Sequence, residues 1–137
     1  KARNFFHALY STDLKPAEVL TSIEIPLAGG ATRSAFVELA RRRGDYAIVG
    51  VAAHALNSNG VLSDVRLAYL GAGATPRLAS GAMAAVEGQK LAPAVIERAA
   101  QALAQDLDPD ADIYSTRATK LHLARVITGR ALTALTA

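Results

Sequence analysis

Residues 48–70 read IVGVAAHALNSNGVLSDVRLAYL, and this stretch decides the fold. Its first part, residues 48–56, is apolar and small, and periodicity alone leaves it open between a buried strand and a buried helix. The following Asn57-Ser58-Asn59-Gly60 settles the choice. Asn-Gly is suited to the positive φ angles of a tight two-residue hairpin turn, so the chain doubles back there. Beyond the turn, Val65, Leu67 and Tyr69 alternate with Asp64, Arg66 and Ala68, the period of a half-buried strand. Residues 49–56 and 61–70 are therefore expected to pair. Upstream, Ala35, Val37 and Leu39 alternate with Phe36, Glu38 and Ala40, adding residues 34–41 as a third antiparallel strand.

After Thr75-Pro76 the chain is expected to be helical throughout. Leu78, Ala82, Ala85 and Val86 form one apolar stripe, closed by Gly88. Pro93 suits the first turn of a second helix, whose inner face is Val95, Ile96, Ala99, Leu103 and Leu107 and whose stop is Asp108-Pro109. Ser115 is the expected cap of a third, with Leu121, Ala124, Ile127, Ala131 and Leu135 inside and Arg117, Lys120, Arg125 and Arg130 largely outside. Strands first and helices after describe an α+β domain. Its sheet is three-stranded (to four-stranded), antiparallel, and covered on one face by three C-terminal helices.

A short N-terminal arm precedes it. Phe5, Phe6, Leu9 and Tyr10 suit a short amphipathic turn or helix. Residues 19–27 read as a strand, with Val19, Thr21, Ile23 and Ile25 on one face and Pro26 ending it or marking an edge. Gly29-Gly30 is the clearest linker signal. The boundary is placed there, giving residues 1–31 as the arm and residues 32–137 as the domain.

Composition narrows the function. The 137 residues are enough for one domain with a core, with 51% hydrophobic residues and 20% charged. No cysteine is present, which excludes disulfides, zinc ribbons and any iron–sulfur cluster ligated within the sequence. A net charge of +3 is too small a surplus to predict nucleic-acid binding, which asks for a wide basic stripe with stacking aromatics. No apolar run reaches the roughly 18–20 residues of a membrane helix, so no membrane insertion is expected. The absence of cysteine fits a cytoplasmic setting. With Lys at position 1 and no signal peptide, the sequence reads as a piece of a longer protein.

The densest charge is Arg41-Arg42-Arg43, followed by Gly44, Asp45 and Tyr46 between two buried elements. Such a turn is where folds present chemistry. The arginines suit a solvated strand end, a clamp on a phosphate or carboxylate, or an ion-pair anchor to another domain. Tyr46 suits the core, as aromatics after a Gly turn commonly do, or the face of a planar ligand. Gly71-Ala72-Gly73 lacks the third glycine of the dinucleotide fingerprint and the Lys of a P-loop, and close backbone approach is the expected reason for it. Asp106, Asp108, Asp110 and Asp112 alternate like a calcium loop, but Ala111 replaces the needed Gly and Arg117 the bidentate Glu. Charges at helix ends explain them better. His7, His54 and His122 share no metal-binding spacing, and His54 is expected to be structural. No metal site and no catalytic residues are assigned.

Two stretches resemble a known family. The Phe5-Phe6, Leu14, Pro16, Glu18 and Ile23…Ile25-Pro26 pattern is similar to the closing segment of the flavin domain of molybdenum hydroxylases. Phe36…Leu39-Ala40-Arg41-Arg42-Arg43-Gly44-Asp45-Tyr46-Ala47-Ile48-Val49-Gly50 closely resembles the opening of the C-terminal domain of their FAD-binding medium subunit, of the carbon-monoxide-dehydrogenase and xanthine-dehydrogenase type. Ala74-Thr75-Pro76-Arg77 and Tyr114…Leu121…Leu123-Ala124…Val126…Arg130-Ala131-Leu132, read as the last helix, fit the same family.

The resemblance implies a part of a multi-subunit oxidoreductase, inactive by itself. In such enzymes electrons pass from a molybdenum cofactor through iron–sulfur clusters to FAD and then to an acceptor. The resemblance implies that Arg42, Arg43, Gly44, Asp45 and Tyr46 face the flavin, with Tyr46 covering its ring and the rest fixing the turn. Partners implied are the iron–sulfur subunit and the molybdopterin subunit. The Gly-rich loops that hold the FAD pyrophosphate in the family have no counterpart here, so FAD binding by this chain alone is expected to be weak or absent. The alternative is a non-enzymatic docking module with a basic anchor turn. An exposed arm strand is also open to homodimer pairing between molecules.

Overall fold

The computed structural model describes residues 4–137. The domain is built on an antiparallel sheet. β3 (Thr32–Ala40) pairs along its whole length with β4 (Ala47–Ser58), placing Phe36 opposite Ala52 and Val37 opposite Val51. β4 pairs with β5 (Val61–Leu70) through the expected hairpin, where Asn59 and Gly60 take φ angles of 51° and 84°. Two positive φ values in succession are what a turn matching the strand twist requires.

The region after Thr75 is not wholly helical. β6 (Arg77–Leu78) pairs with one end of β5 and β7 (Gln89–Lys90) with the other, making five strands in all. Leu78 thus belongs to an edge strand and is partly exposed, outside the first helical stripe. Two-residue strands are too short to leave an alternation in the sequence, and only the neighbouring β5 backbone calls them into being.

Three helices cover one face of the sheet: α1 (Ser80–Val86), α2 (Pro93–Asp106) and α3 (Arg117–Ala134). Val51, Ala53, Val65, Leu67 and Tyr69 point inward from the strands and meet Ala82, Val86, Ala99, Leu103, Ile127 and Ala131. The many alanines let helices and sheet approach closely. Pro93 occupies the start of α2, and Leu107, just before Asp108-Pro109, caps its end. α1 has no side-chain cap of its own. The Asp106 carboxylate, from the end of α2, accepts from Gly81 and Ala82 N–H at 2.9 and 2.8 Å. α3 is capped by Thr116, whose Oγ1 accepts from Thr119 N–H at 3.1 Å, and not by Ser115. Ser115 is buried instead, its N–H donating to Asp112.

Inside the core, Thr128 Oγ1 donates to Ala124 O at 2.6 Å, so the Tyr69 hydroxyl, 2.5 Å away, supplies the proton between the two oxygens. Burial pushes the Tyr69 phenol well above the usual tyrosine range.

The arm departs most from expectation. Residues 4–12 contain no α-helix. β1 (Phe6–Ala8) and β2 (Ser11–Thr12) form a small ribbon around Tyr10, whose φ is 57°. So short a segment without a packing partner does not repay helix nucleation. The expected helix also included Lys1, Ala2 and Arg3, which lie outside the described residues. Residues 19–27 form no strand. They carry no regular structure and are exposed, with Ile23 75% accessible. Among the described residues no backbone pairs with them.

Candidate functional site

β3 and β4 present the turn expected from the sequence. Gly44 adopts φ 82°, which turns the chain, and Asp45 N–H donates to Arg42 O at 3.2 Å. The Asp45 carboxylate gathers the turn. Its Oδ1 accepts from Tyr46 N–H at 3.1 Å, and its Oδ2 lies 3.4 Å from Arg42 Nε and 3.9 Å from Arg41 Nε. Tyr46 is not in the core. Its residue is 95% exposed, leaving both faces of the ring open.

A second loop meets the turn. The guanidinium of Arg41 stacks on the ring of Tyr114, 4.0 Å from its centroid. Tyr114 is held by Asp112, whose Oδ1 accepts from Tyr114 N–H and Ser115 N–H, each at 2.8 Å. Lys120 Nζ, on the first turn of α3, lies 2.9 Å from Asp112 Oδ2. The Lys120 hydrogen bond, joined by the Tyr114 and Ser115 N–H groups, holds the Asp112 carboxyl below its ordinary range. Between the two loops lies a cleft of about 310 Å3 lined by Arg41, Arg42, Asp45, Tyr46, Asp112 and Tyr114. It offers aromatic rings and guanidinium groups, a surface suited to one face of a planar, electron-rich group.

Of the expected site residues, Arg42, Asp45 and Tyr46 line this cleft and Gly44 shapes the turn. Arg43 is exposed beside it, not in its lining, and makes no ion pair among the described residues. Sequence reasoning gave the other wall no site role, although Tyr114 stood among the residues that resemble the family. Tyr114 sits in the acidic stretch read as helix-end charge, and Lys120, assigned to the solvent side of α3, is only 11% exposed at its side chain. The available signal was a lone aromatic two residues after an Asp that begins a Ser-Thr turn.

The other candidates have structural work. Asp106 holds α1, and Asp108 pairs with Arg117. Among the described residues no group of three or more His, Asp or Glu side chains is placed to hold a metal ion. His54 lies on the outer face of the sheet, partly exposed, 3.9 Å from Asp64. Gly71 is required by close approach: a Cβ there would stand 2.5 Å from Ile48 O. Gly71 is thus packed against β4 and Gly73 against the Arg77 side chain, which leaves no phosphate cradle there.

The model of the CO dehydrogenase flavoprotein C-terminal domain family matches residues 34–135, from β3 through the last turn of α3. The chain belongs to this family. It is 28% identical over 131 residues to the glyceraldehyde dehydrogenase medium chain of Sulfolobus acidocaldarius, covering 96% of this chain and 46% of that one. Among solved structures it superposes on carbon monoxide dehydrogenase from Hydrogenophaga pseudoflava, which lacks the Mo-pyranopterin moiety of the molybdenum cofactor. The TM-score is 0.92 and the identity 30%, covering 98% of this chain and 47% of that one. Quinoline 2-oxidoreductase from Pseudomonas putida 86 follows at TM-score 0.89 and 33% identity, with 98% and 47% covered. The chain therefore spans about half the length of the relatives it matches. Within this flavoprotein domain the matched range contains both walls of the cleft, the Arg41–Tyr46 turn and the Tyr114 loop.

Proposed function

We propose that this CO dehydrogenase flavoprotein C-terminal domain packs beside the FAD of a molybdenum hydroxylase medium subunit and lays Tyr46 against the isoalloxazine ring. The observation that carries the reading is the fully presented Tyr46 ring on a turn where Asp45 holds the Tyr46 N–H and pairs with Arg41 and Arg42. An exposed aromatic on a turn fixed in this way is built to meet something flat. The residues fit one face of a flavin and no more, since Gly71 is packed against β4 and Gly73 against Arg77, offering no pyrophosphate cradle. FAD is held by the other half of the medium subunit, and this chain alone binds it weakly or not at all.

When bound, FAD takes electrons arriving through iron–sulfur clusters and delivers them to an acceptor. This chain's residues cover and orient. Tyr46 shields one ring face from water. Asp45 fixes the Tyr46 backbone, Gly44 permits the turn, and Arg42 and Arg43 set a positive potential beside the ring that favours its reduced form. The domain works in an oxidoreductase with an iron–sulfur subunit and a molybdopterin subunit, in the cytoplasm. No helix among the described residues is long and apolar enough to cross a membrane.

The exposed Arg43 supports a second reading, a docking module in which the basic turn anchors a partner subunit. A titration followed by FAD fluorescence and absorbance, on this chain and on the complete medium subunit, tests the first reading. Binding by the complete subunit only, with a flavin spectrum altered by Tyr46→Ala, is the expected result. Tight binding by this chain alone overturns it. If Tyr46→Ala leaves the spectrum intact while Arg43→Ala weakens subunit assembly, the docking reading prevails.

A further inference from the structure

The turn that carries Tyr46 is supported from a distance. Its internal ties are short-range: Asp45 N–H to Arg42 O, and the Asp45 carboxylate to the Tyr46 N–H and to the two guanidinium groups. Of these, the Arg41 contact is long, 3.9 Å, and its side chain is partly exposed. Alone, such a surface ion pair holds a flexible arginine poorly, because solvent screens it and the side chain loses entropy in forming it. Arg41 also sits over the ring of Tyr114, its Cζ 4.0 Å from the centroid. Stacking on an aromatic face restricts the guanidinium to one plane and attracts its charge to the ring.

Tyr114 is itself anchored. The Asp112 carboxylate takes the Tyr114 and Ser115 N–H groups on one oxygen and Lys120 Nζ on the other. Lys120 is the near-buried end of this series and stands on α3, which packs against β3 and β4. The series therefore starts in the rigid body of the domain and ends at the Tyr46 backbone.

We propose that Tyr114 is a positioning residue, which pins Arg41 against Asp45 and thereby holds Tyr46 and the adjoining positive charge in one orientation toward the flavin; this rests on the flavin-facing reading of Tyr46. Nothing in the Tyr114 side chain needs to touch the cofactor. Its ring is the working part. Tyr114 is mostly exposed, so replacing it leaves the core untouched.

The first test uses this chain. Nuclear magnetic resonance of Arg41 and hydrogen exchange of the Tyr46 amide are compared in wild type, Tyr114→Leu and Tyr114→Phe. In Tyr114→Leu the ring-current displacement of the Arg41 side-chain signals is expected to vanish and the Tyr46 amide to exchange faster. Tyr114→Phe keeps the ring and is expected to match wild type. Unchanged Tyr46 exchange in Tyr114→Leu overturns the proposal.

The second test uses the flavin-loaded medium subunit and reads the midpoint potential and visible spectrum. Tyr114→Leu is expected to lower the potential, since a released Arg41 no longer holds positive charge beside the ring, and Tyr114→Phe to leave it in place. If Tyr46→Ala moves the spectrum while Tyr114→Leu moves neither reading, the positioning role is wrong and the flavin reading survives. If Tyr46→Ala is also silent, both fall together.

Discussion

Residues 19–27 and Thr32–Ala40 carry the same period-two pattern and have different fates. In the first, Val19, Ile23 and Ile25 are spaced for one face, and the segment forms no strand and is exposed. In the second, Ala35, Val37 and Leu39 share a face, and the segment is a nine-residue strand packed on the core. The difference is a neighbour. β3 is hydrogen-bonded to β4 from Thr32 to Ala40, whereas residues 19–27 have no backbone to pair with among the described residues. Alternation marks which side chains want burial; a strand also needs a partner for its N–H and C=O groups.

The sharpest way to break this comparison is to remove one apolar side chain from each region. Leu67→Ala, from the fully buried β5 position, is expected to cost about 2–5 kcal/mol in urea unfolding. Ile23→Ala should stay within roughly 0.5 kcal/mol of wild type. Equal losses would mean that the arm is packed after all.

Helix α1 sharpens it on a second scale, since it too depends on a group far from it in sequence. Asp106→Ala strips two backbone N–H groups of their charged acceptor and is expected to cost about 1–3 kcal/mol. The local alternative, a self-supported α1, predicts almost none.

Tyr69 extends the comparison to pH. Its phenol is held neutral in the folded state by burial, so its folded pKa lies above the unfolded one. Its contribution is complete below the ordinary tyrosine value of about 10 and is lost as pH rises beyond it, by at most about 1.4 kcal/mol per pH unit. Tyr69→Phe should lose about 1 kcal/mol at neutral pH for the missing hydrogen bond to Thr128, yet show a flatter decline above pH ~10. Parallel alkaline declines of the two proteins would contradict the burial.

The smallest effect belongs to the cleft. Asp112 has its pKa lowered in the fold, first by Lys120, so its grip on the Tyr114 loop is present above the ordinary carboxylate range and lost as pH falls through the lowered value. Hydrogen exchange of the Ser115 amide should speed up relative to the core on acidification, and Asp112→Asn should abolish that pH step. A step that persists in Asp112→Asn would assign it elsewhere.

Much of this was written locally. Asn59-Gly60, the alternation of Val65, Leu67 and Tyr69, Pro93 and the Asp108-Pro109 stop each state their conformation within a few residues, and the hairpin, the sheet and the three helices follow. The Arg41-Arg42-Arg43-Gly44-Asp45-Tyr46 turn, with the residues flanking it, was sufficient for the family. What could not be read depended on distant chain. β6 and β7 exist because β5 has open edges, α1 is capped from the end of α2, and the arm pattern lacks its partner. The cleft was half legible for the same reason: its Arg-rich wall is contiguous, while Tyr114 reaches Arg41 only once α3 and the sheet are assembled. Whether Tyr46 lay in the core or in the open was also beyond a single turn's sequence, because an aromatic after a glycine serves either purpose.

The most direct measurement is flavin emission from the FAD-loaded medium subunit, wild type against Tyr46→Ala. A phenol ring stacked on isoalloxazine quenches its fluorescence by contact. A clear rise in emission at unchanged flavin content is the predicted result. Identical emission from the two proteins would contradict the placement of Tyr46 against the flavin.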